Sequence, residues 1–194
     1  MRQEIINTSL EGFLKNGIRE MTVQKLVAPL GISTKTVYKY FSNKEDLLRE
    51  CLSVHYSRLF KHTYISGDQF PNPAIALENL WQKAFQIDFG VNRIFYHDLN
   101  HYYPELQDEI LKKHGGKIET TIVKLIKEGI DKGYFLKDLQ PRLIFEAMTV
   151  IYRSLTRTED FKKFRVNPKD LVRQTVHIYL RGICTSKGLN ELTS

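Results

Sequence analysis

Within the stretch ISTKTVYKYFSNK, residues 32–44, Lys35, Tyr38, Lys39 and Tyr40 crowd four cationic or phenolic side chains into six positions, with no acid among them. The nearest acids are Glu20 and Glu45. Residues 21–44 between them hold Lys25, Lys35, Lys39 and Lys44, while the whole 194-residue chain is only +7. Positive charge interspersed with hydroxyls suits a phosphate backbone, and an acid there would repel it. Wound as a helix at about 100° per residue, the segment has two distinct sides. Val37 and Phe41 fall on one, where they can pack. Lys35 and Lys39, four apart, fall on the other, flanked by Thr36 and Tyr38.

Other reactive side chains do not assemble into a recognisable chemistry. His97 and His101 have the i, i+4 spacing of a metal-binding pair, but no third ligand is fixed nearby and the Glu of a HExxH helix is missing. HGGKIETT, residues 114–121, lacks GxxxxGK[ST] and a preceding strand. Neither GxSxG nor CxxC occurs, so no catalytic residue, metal or cofactor is assigned and no enzyme is expected. Cys51 and Cys184 lie far apart in helical patterns and read as small buried hydrophobes of a reducing compartment. No apolar run approaches the ~18 residues of a membrane span, and the N-terminus lacks a signal-peptide core. The expectation is a soluble, cytoplasmic chain with no membrane partner. Trp81, Phe85 and Phe89 repeat at i, i+4, i+8; Phe95, Tyr96 and Tyr102 follow, with Met148 and Tyr152 further on. An aromatic stripe at helical spacing is more often core than ligand lining, and both uses stay open.

These residues must be carried on helices, because no segment alternates convincingly at period two. A chain of this length makes one large domain or two modest ones. The first helix is expected from about Arg2 to Lys15, closed at Gly17 where a left-handed cap is wanted. Thr22 caps a short second helix, which Pro29 should end or bend early by removing a backbone donor. Gly31 closes it, and Ser33 caps a third helix of about two turns, Thr34 to Tyr40. Ser42 and Glu45 offer a capping box to a long fourth helix reaching about Tyr64. SGDQFPNP, residues 66–73, marks a boundary. Pro73, Pro104, Pro141 and Pro168 then open the fifth, seventh, eighth and ninth helices, with a short sixth around Phe95. The seventh must tolerate or bend at Gly115-Gly116, and the ninth is expected to run to about Gly188. The fold class is therefore all-α with about nine helices. A three-helix head spans residues 1–45 and a larger helical body spans 46–194, with the fourth helix connecting them.

Two short helices joined by a tight turn containing glycine are the pattern of a helix-turn-helix, whose second helix enters the DNA major groove. Residues 5–48 resemble the N-terminal domain of the TetR family of bacterial transcriptional regulators. The resemblance is carried by Ile6, Leu10, Phe13, Gly17, Thr22-Val23, Val27-Ala28, Gly31-Ile32-Ser33, Thr36-Val37-Tyr38, Tyr40-Phe41 and Lys44-Glu45 with Leu47-Leu48. It covers roughly a quarter of the chain; beyond it only helix count and length correspond. Lys35 stands where many members have glycine, which adds a possible base or phosphate contact.

The resemblance implies a repressor that binds a palindromic double-stranded operator as a homodimer and is released by a small apolar or aromatic effector. It implies phosphate contacts from Thr22, Tyr38 and Lys44. Ser33, Thr34, Lys35, Thr36, Lys39 and Tyr40 take the recognition-helix positions. It further implies a pocket in the body, for which Trp81, Phe85, Phe89, Phe95, Tyr96, Tyr102, Met148 and Tyr152 are the candidates. The last two helices would form the dimer interface, through Ile144, Met148, Ile151, Leu155, Val172, Val176, Tyr179 and Ile183. RLIFEAMTVIYRSL, residues 142–155, is apolar nearly all round, as a helix covered on two sides would be. Two alternatives remain: an all-helical regulator controlled by a protein partner, and a helical binding module that does not bind DNA.

Overall fold

The structure, a computed structural model, describes residues 1–63, 70–157, 161, 164 and 166–192. Its contacts form two compact units, Met1–Leu59 with Gly90–His114 (unit 1) and Phe60–Phe89 with Gly115–Ser194 (unit 2).

Unit 1 begins with α1 (Arg2–Asn16), whose Ile5, Ile6, Leu10 and Phe13 are buried on one stripe. Gly17 closes it at φ 83°, ψ 177°, donating its N–H to the Phe13 carbonyl. This is the glycine-only extended region, not the left-handed cap expected from the sequence. Then come α2 (Val23–Val27), a single 3₁₀ turn (Ala28–Leu30) and α3 (Thr34–Val37). Pro29 lies in that 3₁₀ turn, so α2 does end early. The long α4 (Lys44–Thr63) follows, and its expected last residue, Tyr64, lies outside the described residues. Its cap sits one residue later than the sequence suggested. Asn43 Oδ1 accepts the Asp46 N–H at 2.8 Å, and the Asp46 carboxylate accepts the Ser42 N–H at 3.1 Å. Asn43 therefore takes the capping role expected of Ser42, because an Asn side chain caps as well as Ser, and Asp46 reaches back to the N–H before the cap instead of to the cap's own. Two elements distant in sequence complete the unit: α6 (Arg93–Tyr102), which packs on α1, and the first part of α7 (Pro104–Asp131). Phe95, Tyr96 and Leu99 of α6 are fully buried.

Unit 2 holds α5 (Pro73–Phe89), the rest of α7, α8 (Pro141–Arg157), α9 (Pro168–Val172), α10 (Ile178–Gly182) and α11 (Ser186–Leu192). Asn72 caps α5 by accepting the N–H groups of Ala74 and Ile75, both at 3.0 Å. α7 stays helical through Gly115 and Gly116, where a break or bend was allowed for. The ninth helix is not the single rod expected. Between α9 and α10 the turn widens to a π-helical one over Arg173–His177, and the chain leaves the helix after Gly182. Leu171, Val176 and Leu180 are all buried, and the five-residue step between the first two is what a widened turn accommodates. Beyond Gly182, Leu136 N–H donates to Ile183 O and Thr185 N–H to Tyr134 O, both at 3.0 Å. These bonds pin the C-terminal segment to the loop after α7.

Candidate nucleic-acid interface

The surface starts with two caps. Thr22 Oγ1 accepts the Lys25 N–H at 3.2 Å and starts α2; Ser33 Oγ accepts the Thr36 N–H at 3.3 Å and starts α3. Between them Gly31 turns the chain in the left-handed region, φ 63° and ψ 21°. Each short helix thus satisfies a terminal N–H locally, which helices of four and five residues need, since propensity alone cannot sustain them.

α3 keeps regular geometry only to Val37, not to Tyr40. The chain then tightens: Lys39 N–H bonds to Thr36 O at 3.3 Å and Tyr40 N–H to Val37 O at 2.9 Å, both three residues back. Such a tightened last turn is a common helix ending. The sidedness is as expected. Val37 and Phe41 are buried, Lys35 and Lys39 are exposed, and Tyr38 and Tyr40 are 52% and 42% exposed. Solvent-facing tyrosines beside lysines are an uncommon use of large aromatic rings unless something covers them. Thr22 and Ser33 are exposed, and Thr34 and Thr36 half-buried.

Lys44 is placed differently. Its Nζ donates to the Ile18 carbonyl at 2.6 Å and lies 6.0 Å from the centre of the Phe13 ring. Burial pulls its ammonium below the usual lysine range, against the opposing charges of Asp98 and Glu20. The same turn is held from the other side by α6. Asp98, 5% exposed, accepts the N–H groups of Ile18 and Arg19, each at 2.8 Å. Asn92, the α6 cap, donates from Nδ2 to Lys15 O at 2.8 Å and from its backbone to Leu14 O at 3.0 Å. Sequence reasoning missed Asp98 entirely. A lone acid amid aromatic residues, some 80 positions from its partners, gives no local signal.

Residues 5–51 match the model of the bacterial regulatory proteins, tetR family. Over this segment the chain is similar to the helix-turn-helix domain of TetR-family regulators. The family's members are transcriptional regulators, not enzymes. Over 147 residues the chain is 23% identical to the HTH-type transcriptional repressor KstR2 of Mycobacterium tuberculosis, covering 74% of each. The solved KstR2, a ketosteroid transcriptional regulator, shares the fold at a TM-score of 0.64 with 22% identity over 95% of both chains. The fatty acid degradation regulator FadR from Bacillus halodurans does so at 0.71, with 21% identity over 92% of this chain and 94% of its own. A TetR-family regulator from Marinobacter aquaeolei reaches 0.77, with 19% identity over 100% of this chain and 95% of its own.

In the structure the eight aromatic and methionine candidates for a pocket separate. Trp81, Phe85, Phe89, Met148 and Tyr152 gather in unit 2, with Trp81–Tyr152 and Phe85–Tyr152 ring centres 5.6 and 5.1 Å apart. The Tyr152 hydroxyl donates to the buried Asp88 carboxylate, and the Trp81 indole N–H is buried without a partner among the described residues. Phe95 and Tyr96 belong instead to the core of unit 1, where the Tyr96 hydroxyl meets His55 Nε2 at 3.2 Å. Tyr102 is exposed there and accepts from Arg19 Nη1 at 3.0 Å.

The interface candidates divide too. Ile144, Met148, Leu155, Val176 and Ile183 are buried in the core of unit 2 itself, while Ile151, Val172 and Tyr179 are half-buried against it. The apolar side chains left exposed on these helices are Leu143 (61%), Val150 (63%) and Ile178 (61%). Among the described residues no helix is long and apolar enough to cross a membrane, and no three His, Cys, Asp or Glu are placed to hold a metal ion. His97 and His101 stack 5.9 Å apart on exposed positions of α6.

Proposed function

We propose that this regulator is a repressor that binds a palindromic operator as a homodimer and is released by a small, neutral, apolar effector. The observation that carries the DNA reading is the capped α3, with Lys35, Tyr38, Lys39 and Tyr40 exposed over a buried Val37 and Phe41. Lys35, Thr36, Lys39 and Tyr40 read base edges and flanking phosphates, while Thr22, Ser33, Thr34 and Tyr38 fix the register on the backbone. The functional division is a head over residues 1–45 and an effector and dimerisation body over 46–194.

One recognition helix spans only a few base pairs, so specificity calls for two half-sites and two heads. Leu143 and Val150, two turns apart on α8, and Ile178 on α10 supply the exposed apolar surface for a second copy. For the effector, the aromatic cluster of unit 2 offers flat apolar walls, and the Trp81 N–H offers a donor for a carbonyl or hydroxyl oxygen. The buried Asp88 disfavours an anion at that end. Relatives named for ketosteroids and for fatty acid degradation fit an apolar effector class. The test is selection of duplexes from a random pool by the purified protein. A two-fold symmetric consensus is expected, and enrichment of no sequence contradicts the reading.

A further inference from the structure

The turn between α1 and α2, residues 17–22, contains backbone groups that its own residues do not satisfy. The N–H groups of Ile18 and Arg19 and the carbonyl of Ile18 are all paired by side chains from elsewhere in unit 1. Buried backbone groups demand such partners, and here two charged side chains provide them. Asp98 comes from α6 and Lys44 from the first residue of α4, so three charge-assisted bonds converge on one residue pair. Gly17 leaves the room for this: a Cβ there would stand 2.6 Å from Ile94 Cγ2 and 3.0 Å from Asp98 Oδ2. Arg19 is tied to α6 a second time, its guanidinium 5.1 Å from the centre of the Tyr102 ring. The other titratable neighbours include His97, whose Nδ1 lies 3.6 Å from Asp98 Oδ1, and Glu20, which acts on Lys44.

Thr22, which starts α2, follows this clamp by three residues, and α2 in turn carries the glycine turn and α3. We propose that Asp98 and Lys44 are positioning residues for operator binding, holding the α1–α2 turn in the arrangement that presents α3, and that Lys44 acts through this turn instead of on a DNA phosphate. The Lys44 ammonium is half-buried and spends its shortest bond on its own chain. With the clamp broken, the head samples other arrangements, and the apparent operator affinity falls with the fraction that remains competent. A fall of that fraction to about a tenth costs ten-fold in affinity.

The proposal rests on the operator-binding reading above, and one experiment separates the two. The wild type, Asp98→Ala, Lys44→Met and the double variant are titrated with the selected duplex over a range of salt, after circular dichroism has checked helicity. The expected result is a loss of about ten-fold or more in each single variant, with the double no weaker than the weaker single. The dependence of log affinity on log salt should stay that of the wild type. A lysine that only contacted phosphate would make that slope shallower by about 0.9 on removal, and a merely structural Asp98 would lower the melting temperature without moving the affinity of the folded protein. A shallower slope in Lys44→Met, or wild-type affinity in folded Asp98→Ala, overturns the assignment while leaving operator binding intact. If Asp98→Ala does not fold, the salt slope of Lys44→Met decides alone. A wild type that does not prefer its selected duplex overturns both readings.

Discussion

Lys39 and Tyr38 project into solvent from a turn whose anchor, Val37, is wholly buried, so their contribution to folding is small and their removal should register in binding. Lys39→Ala and Tyr38→Ala are each expected to weaken operator binding by about 1–3 kcal/mol while leaving the melting temperature nearly unchanged. Titration and thermal denaturation of the same samples check this. Ser33→Ala behaves differently, because its hydroxyl caps a four-residue helix. That change should cost about 0.5–2 kcal/mol of stability and weaken binding as well. The two cysteines follow from burial. Desolvation pushes the Cys184 thiol up to about 11, helped by Glu78 and opposed by Arg181, and pushes Cys51 upward too. Both stay protonated in the folded protein near neutral pH, so iodoacetamide should label them only after unfolding. The unfolded thiol ionises near its ordinary 9.0 and the folded Cys184 only near 11, so its contribution to stability is intact below pH 9 and is lost as pH rises from 9 towards 11. A urea midpoint that falls over this range less steeply in Cys184→Ala would bear this out, and one that rises would contradict it.

The short elements of unit 1 depend on backbone conformations that side chains resist, and the two glycines there differ in kind. Gly31 has open space around its Cβ position, so Gly31→Ala meets only the left-handed penalty of about 1–2 kcal/mol. Gly17→Ala meets both a glycine-only conformation and the Ile94 side chain, and its melting temperature should fall further than that of Gly31→Ala. Equal losses would show that the α6 contact is not tight. Elements fixed by local chemistry were legible in the sequence. Pro73, Pro104, Pro141 and Pro168 each open a helix in the structure, and Thr22 and Ser33 cap the helices that were expected of them. In SNKED, residues 42–46, three potential caps stand side by side, and the choice of Asn43 over Ser42 depends on where the preceding turn ends. Elements fixed by distant packing were not legible. α8 is apolar on several sides, so sequence alone could not decide that Ile144, Met148, Tyr152 and Leu155 face inward while Leu143 and Val150 face out. The widened turn at Arg173–His177 and the Asp98 clamp likewise arise from contacts many residues away.

At the scale of the molecule, repression of a palindromic site requires two heads held at a fixed separation. The exposed side of α8 is where a second copy is expected to sit. Leu143→Glu combined with Val150→Glu should give a monomer by sedimentation, with helicity preserved, because both side chains already face solvent. Met148→Glu should instead unfold unit 2, since an unpaired charge in that core costs roughly 3–5 kcal/mol. A dimer that survives the double change at α8 would move the interface elsewhere. The most direct test of the account is a pair of equilibrium titrations of the wild-type protein at physiological salt, one with its selected palindromic duplex and one with a shuffled duplex of the same length and composition. The account predicts affinity for the palindrome at least about 10³-fold tighter, with a steep loss as salt rises. Equal affinity for the two duplexes would contradict it.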